Sequence, residues 1–277
     1  MKKIYTLLSI LIISLTVYFS YDDLMPSSVK LIETTGFSVD NALSHLKVIS
    51  KEPHYTGSKY HQEVQNYIVN ELESMGLETE IQNQVVLSSR RVGTNTANII
   101  GTIKGSREGK SLVLLSHYDS RAHSSYGASD AGSGVVTILE GIRAFLAKNK
   151  PPKNDIIILI SDAEELGLLG AKAFVEAHKL AKNIGLVLNF EARGSGGPSY
   201  MLLETNGKNS KLMTEFMASK PNFPAASSLM YSIYKMLPND TDLTVFREEA
   251  NINGFNFAFI GDHFDYHTAQ DSYERLD

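Results

Sequence analysis

Two uninterrupted apolar runs, Leu112-Val113-Leu114-Leu115 and Ile156-Ile157-Ile158-Leu159-Ile160, constrain this chain more than any other feature. A strand with one wet face alternates apolar and polar residues; a strand apolar at every position needs cover on both faces. Between the runs lies a helix-length stretch, 132–149, stopped by Pro151-Pro152. A second helical stretch, 167–178, leads to another strand at 184–190. This alternation reads as an α/β fold with a central mixed, largely parallel sheet flanked by helices. Upstream, Ser38 caps a helix over 38–49, and a helix over 58–75 closes at Gly76. Strands follow at 77–87, with Ile81, Val85 and Leu87 on one face, and at 97–103. Beyond Tyr200 come a strand, helices at 210–218 and 226–235, and a last strand at 254–260.

The N-terminus addresses a compartment. Lys2 and Lys3 precede an apolar stretch, 4–19, and Asp22 and Asp23 follow it. Its length falls between a signal-peptide core and a comfortable membrane span. Tyr18, Phe19 and Tyr21 are bulky where a cleavage site needs small residues. Residues 1–20 therefore read as an uncleaved signal anchor in preference to a cleaved signal peptide, which would imply secretion. The lysines would stay cytoplasmic and the rest would face outward. Residues 21–37, with Pro26, Ser27, Ser28 and Gly36, read as a linker, and 38–277 as one domain large enough for a substantial core. Net charge is −5 and no long basic run follows the N-terminus, which argues against nucleic acid as a partner. With no cysteine, any metal must be held by His, Asp and Glu.

In an open α/β sheet, ligands bind beyond the carboxyl ends of the strands. His117 and Asp119 follow the first apolar run, and Asp162, Glu164 and Glu165 follow the second. Glu191 follows 184–190, and Asp262, His263, Asp265 and His267 follow 254–260. Asp130 lies between, in Gly127-Ala128-Ser129-Asp130-Ala131-Gly132-Ser133-Gly134. Singly, each is as easily a solvated loop residue or a cap, and Glu164-Glu165 would merely complement a helix dipole. Together they gather imidazoles and carboxylates, donors that zinc accepts, at one rim. Two imidazoles and three carboxylates, one of them bridging, would hold two ions roughly 3.5–4 Å apart. A carboxylate left outside the ligand set would move the proton.

At these residues the chain resembles the M28 family of metallopeptidases, the co-catalytic zinc aminopeptidases. The matching segments are Ser116-His117-Tyr118-Asp119-Ser120, the glycine-rich loop around Asp130, Asp162-Ala163-Glu164-Glu165-Leu166-Gly167, Asn189-Phe190-Glu191-Ala192-Arg193-Gly194 and Tyr266-His267-Thr268. Glu191 to Gly197, and His267-Thr268-Ala269-Gln270-Asp271, are similar to the membrane-anchored branch that includes endoplasmic reticulum and vacuolar membrane peptidases. The resemblance implies a zinc-dependent exopeptidase fold of the phosphorylase/hydrolase-like kind and two Zn²⁺ per chain. His117 and Glu191 would bind one ion, Glu165 and His267 the other, and Asp130 both. Glu164 would be general base and then acid. Asp119 would hold the His117 ring by a hydrogen bond, and Tyr266 would donate to the oxyanion or pack in the core. The implied substrate is the N-terminus of a peptide or small protein, cleaved by aminopeptidase action.

Relatives often carry Asp where Glu191 stands and usually continue past the position of Asp277, so a C-terminal truncation is expected. Three other functions stay open: a single-zinc glutaminyl cyclase, a carboxypeptidase on the same scaffold, and a non-catalytic ectodomain. Metal count separates the first, and blocking each peptide end separates the second. The third would tend to lose ligands, which are complete here. A side-chain pocket is expected in 223–246, where Tyr231, Tyr234, Leu237 and Phe246 line it or form core, and Asp240 and Asp242 cap the following helix.

Overall fold

The computed structural model describes residues 2–24, 36–88, 91–221, 224–226, 228–236 and 240–277. Most of the expected linker, including Pro26, Ser27 and Ser28, and both Phe223 and Leu237 lie outside the described residues. Helix α1 (Lys2–Leu24) carries the apolar N-terminal stretch. Helix α2 (Val39–Ile49) starts at Ser38, whose side chain accepts the Asn41 N–H at 3.3 Å. Helix α3 (Lys59–Ser74) starts the same way at Ser58, which accepts from His61 N–H at 3.2 Å. Each cap satisfies one of the amide donors that a helix leaves orphaned.

The sheet has seven strands: β1 (Thr79–Leu87), β2 (Gly93–Ile103), β3 (Ser111–His117), β4 (Ile156–Ser161), β5 (Ile184–Ala192), β6 (Tyr200–Glu204) and β7 (Gly254–Phe259). Their order is β1-β2-β4-β3-β5-β7-β6. The four central strands β4, β3, β5 and β7 are mutually parallel, and antiparallel strands flank them on both sides. The sheet is thus mixed with a parallel centre. Parallel neighbours need crossovers, and α4 (Gly134–Leu146) and α5 (Leu169–Ala177) lie in the connections around β4. The apolar run of β4 divides between two cores. Ile158 and Ile160 face Leu46, Ile68 and Leu139 from α2, α3 and α4; Ile157 and Leu159 face Phe174 of α5 and Phe246 of α8 (Asp242–Glu249). This is why the run has no polar position: successive side chains enter opposite layers.

One local expectation is refined and one corrected. Ile81, Val85 and Leu87 share a face of β1, where Ile81 packs against the first core while Val85 and Leu87 are 77% and 69% exposed; Gln82 and Val86, on the opposite face, are buried. Val86 packs with Ala163, Leu169 and Ala173, and Gln82 donates to the Ala173 carbonyl at 2.9 Å, so α5 selects that face. The helix after Asp240 is capped by neither expected aspartate. Thr241 is the N-cap, its N–H donating to Thr244 Oγ1 at 3.3 Å, and Asp242 is the buried first residue. Two further helices, α6 (Ser210–Ala218) and α7 (Ser228–Met236), follow β6.

Candidate metal centre

Parallel pairing sets His117 beside Ser161, so the segments after β3 and β4 leave the sheet at one rim. After β4 the chain turns through Ala163, whose φ of 56° is left-handed. Asp119 secures that turn: its carboxylate accepts Glu164 N–H at 3.0 Å and Glu165 N–H at 3.2 Å. Glu191 emerges from the end of β5. Asp130 lies in a wide helical turn (Ala128–Ser133) before α4, with non-helical φ and ψ of −108° and 95°. Gly127 permits that turn at φ 59°, where a Cβ would meet Ser120 Cβ at 2.8 Å.

The five candidate ligands meet on Asp130. One of its carboxylate oxygens lies 3.2 Å from His117 Nε2, the other 3.1 Å from His267 Nε2. Glu191 Oε2 is 3.9 Å from His117 Nε2, and Glu165 Oε1 is 3.1 Å from His267 Nε2. Two clusters result, His117–Asp130–Glu191 and Asp130–Glu165–His267, each with donor atoms within 4.8 Å of one another. Two donors about 2.1 Å from a tetrahedral ion stand roughly 3.4 Å apart, which these separations bracket. Glu165 Oε1, Glu191 Oε1 and His267 Nε2 are buried without a hydrogen-bond partner. Such atoms are costly to leave unsatisfied, and a cation between the donors would satisfy them.

Burial disfavours charge at Asp130, but the imidazoles of His117 and His267 beside it outweigh that effect and lower its pKa. Burial likewise opposes protonation of both histidines. Asp119 and Asp130 nevertheless raise His117 well above its usual value, and Asp130 and Glu165 raise His267 to about 9. Glu164 is pushed well above the carboxylate range, mainly by burial and further by the charges of Glu191 and Glu165. A carboxylate of raised basicity beside a cation site suits proton transfer near neutral pH.

The accessory expectations need adjustment. His117 Nδ1 lies 2.9 Å from the Asp119 carbonyl oxygen and 3.5 Å from its carboxylate. The carbonyl makes the closer contact because the carboxylate is committed to the turn at Glu164–Glu165. Tyr266 stacks on His267 at 3.6 Å between ring centres, and its hydroxyl accepts from Arg193 Nη1 at 2.5 Å. The cleft over the centre has a volume of about 410 Å³ and is lined by Glu164, Glu165, Arg121, Arg193, Asp240 and Tyr266 among others. Phe246 and Tyr234 do not line it. They are core: Phe246 packs against Phe174, and Tyr234 accepts from Asn256 Nδ2 at 2.9 Å.

Two residues had no role in the sequence reading. Asp271 accepts Ser129 N–H at 2.6 Å, Ser129 Oγ at 2.7 Å, and Asp130 N–H and Ser125 Oγ at 3.3 Å each, pinning the turn that carries Asp130. Its signal in the sequence is its place at the end of the segment His267-Thr268-Ala269-Gln270-Asp271. Arg193, two residues past Glu191, sits almost wholly buried in the cleft wall.

A mixed sheet that delivers clustered His, Asp and Glu donors to the carboxyl rim of its parallel strands has the fold of the zinc-dependent exopeptidases. A Zn-dependent exopeptidase from Parabacteroides distasonis superposes with a TM-score of 0.69 at 19% identity, covering 87% of this chain and 93% of that one. Porphyromonas gingivalis glutaminyl cyclase superposes with a TM-score of 0.70 at 20% identity, covering 88% and 93%. The chain belongs to peptidase family M28, whose model matches residues 98–277. A vacuolar membrane protease of Candida tropicalis is 31% identical over 290 residues, 99% of this chain and 31% of that protein. The chain spans between a quarter and a third of the length of the curated relatives it matches.

Proposed function

We propose that this chain is a zinc-dependent exopeptidase, an aminopeptidase that hydrolyses N-terminal peptide bonds with two Zn²⁺. The observation that carries the reading is the sharing of Asp130: each of its oxygens faces a different imidazole, and each imidazole has a further carboxylate. His117 and Glu191 would hold one ion, Glu165 and His267 the other. Bound zinc supplies Lewis acidity toward the scissile carbonyl and an activated water. Glu164, outside both clusters, would take a proton from that water and deliver it to the leaving amine. Asp119 fixes the backbone of Glu164 and Glu165 and so holds base and ligand in register. Tyr266 is oriented by Arg193 toward the same cleft, where its hydroxyl would stabilise the developing oxyanion.

The test combines metal analysis with turnover. About two zinc ions per chain are expected, and aminoacyl amides should be cleaved only while their amino group is free. Glu164→Gln should retain both ions yet lose about 10²–10⁴ in kcat. Near-parental turnover by that variant would remove Glu164 from the mechanism. One ion per chain would favour the cyclase reading, and cleavage of N-blocked but not C-blocked peptides would favour a carboxypeptidase. We further propose that α1 anchors the chain in a membrane with the remaining domain outside the cytoplasm, an arrangement that protease accessibility tests.

A further inference from the structure

We infer that Arg193 receives a carboxylate of the substrate, which makes short peptides with an anionic group just beyond the scissile bond the preferred substrates. The inference rests on the peptidase reading above. Arg193 is 8% exposed and lines the cleft over the candidate metal centre. Its Nη1 donates to the Tyr266 hydroxyl at 2.5 Å and its Nη2 to the Asp240 carbonyl at 3.2 Å. Both acceptors are uncharged, and a guanidinium has five N–H donors. Four other arginines, Arg121, Arg143, Arg247 and Arg275, each hold a carboxylate oxygen within 3.1 Å, although all four are more exposed. Among the described residues no carboxylate lies within the 4.0 Å ion-pair distance of Arg193.

A buried charge is ordinarily paired. The negative charges that act on Arg193 from farther away are those of Glu191, Asp130 and Glu164. Two of these are the donors turned to the metal centre, so cations held there would neutralise them and leave the guanidinium seeking an anion. Its planar fork matches a carboxylate. The reach also fits. Tyr266 lies between, 3.6 Å from the His267 ring and 5.4 Å from the Arg193 guanidinium carbon. Those two legs together span at most two to three extended residues at roughly 3.4 Å each. Lys172, on the same cleft, adds positive charge to that wall.

The carboxylate would be either a peptide's C-terminus or an acidic side chain. Hydrolysis of the dipeptides leucyl-alanine and phenylalanyl-alanine is compared with that of their C-terminal amides and of leucyl-aspartyl amide, whose only carboxylate is on the side chain. The zinc-loaded enzyme should favour a carboxylate-bearing peptide, leucyl-alanine or leucyl-aspartyl amide, over leucyl-alaninamide by at least about tenfold in kcat/KM. Arg193→Gln should bring that ratio close to 1, and Arg193→Lys, which keeps charge without the fork, should give an intermediate ratio. A second readout needs neither turnover nor an arginine variant: zinc-loaded Glu164→Gln should bind leucyl-alanine at least about tenfold more tightly than its amide by calorimetry. Faster cleavage of leucyl-alanine than of leucyl-aspartyl amide assigns the site to the peptide terminus, and the reverse assigns it to an acidic side chain. Cleavage of both leucyl-alanine and leucyl-aspartyl amide no faster than that of leucyl-alaninamide by the wild type, or a preference that persists in Arg193→Gln, overturns the inference. Cleavage of none of these peptides overturns the peptidase reading instead, and equal binding of acid and amide then overturns the role of Arg193 as well.

Discussion

At the scale of single residues, the candidate metal centre turns on two imidazoles that share one carboxylate. Asp130 lies within 3.2 Å of a ring nitrogen of each, and its charge helps raise both histidines against the opposing effect of burial, His267 to about 9. Protons on these rings compete with zinc, because only neutral imidazole is a ligand. Zinc binding at pH 7 should release protons, and affinity should rise with pH until His267 is neutral near 9. The sign follows from the raised pKa values: lowering the pH loads the histidines and weakens the metal. Calorimetry in buffers of different ionisation enthalpy reads the proton count. Release of none would mean that the histidines are already neutral and that their contact with Asp130 is not the one described.

The element that places Asp130 is the turn Ala128–Ser133, and what holds it comes from a distant part of the chain. Asp271 clamps Ser129 and Asp130 from a loop some 140 residues later in sequence. Removing its carboxylate leaves buried amide and hydroxyl donors without an acceptor, at about 1–3 kcal/mol each. Asp271→Ala should lower unfolding stability by about 3–5 kcal/mol and zinc affinity by about 10–100-fold, the usual loss when a group supporting a ligand is removed. Asp271→Asn, which keeps one acceptor oxygen, should fall between. Urea unfolding and zinc titration measure the two effects. Parental zinc affinity in a folded Asp271→Ala would show that the turn holds Asp130 unaided.

Across the whole molecule, the apolar surface is divided unequally. The sheet buries its apolar faces under helices, whereas α1 leaves Leu7, Leu11, Ile13 and Phe19 each more than half exposed. A contiguous apolar face of that extent needs cover. Its span Lys3–Tyr21, with a mean hydropathy of 1.8, is long enough to cross a bilayer. The full chain should sediment with membranes, resist extraction by salt and alkali, and come free in detergent. Its domain should be digested by protease added to the side opposite the cytoplasm. Recovery of the intact chain in the soluble fraction would sink the anchor.

Much of this protein is determined locally. The apolar runs at 112–115 and 156–160 announce buried strands, because no strand with a wet face can be apolar at every position. The candidate donors are legible as His, Asp and Glu gathered after the strands, but the choice of five ligands among them rests on the resemblance of their segments to the family's motifs. The sequence could not decide which face of β1 is covered, since that depends on α5 lying against Val86 rather than Val85. Nor could it assign Phe246 and Tyr234 to core, turn His117 toward the Asp119 carbonyl, or reveal Asp271 and Arg193 as parts of the site. Those are facts about partners far apart in the chain, and a side chain's charge, cover and hydrogen bonds exist only once folding has brought the partners together.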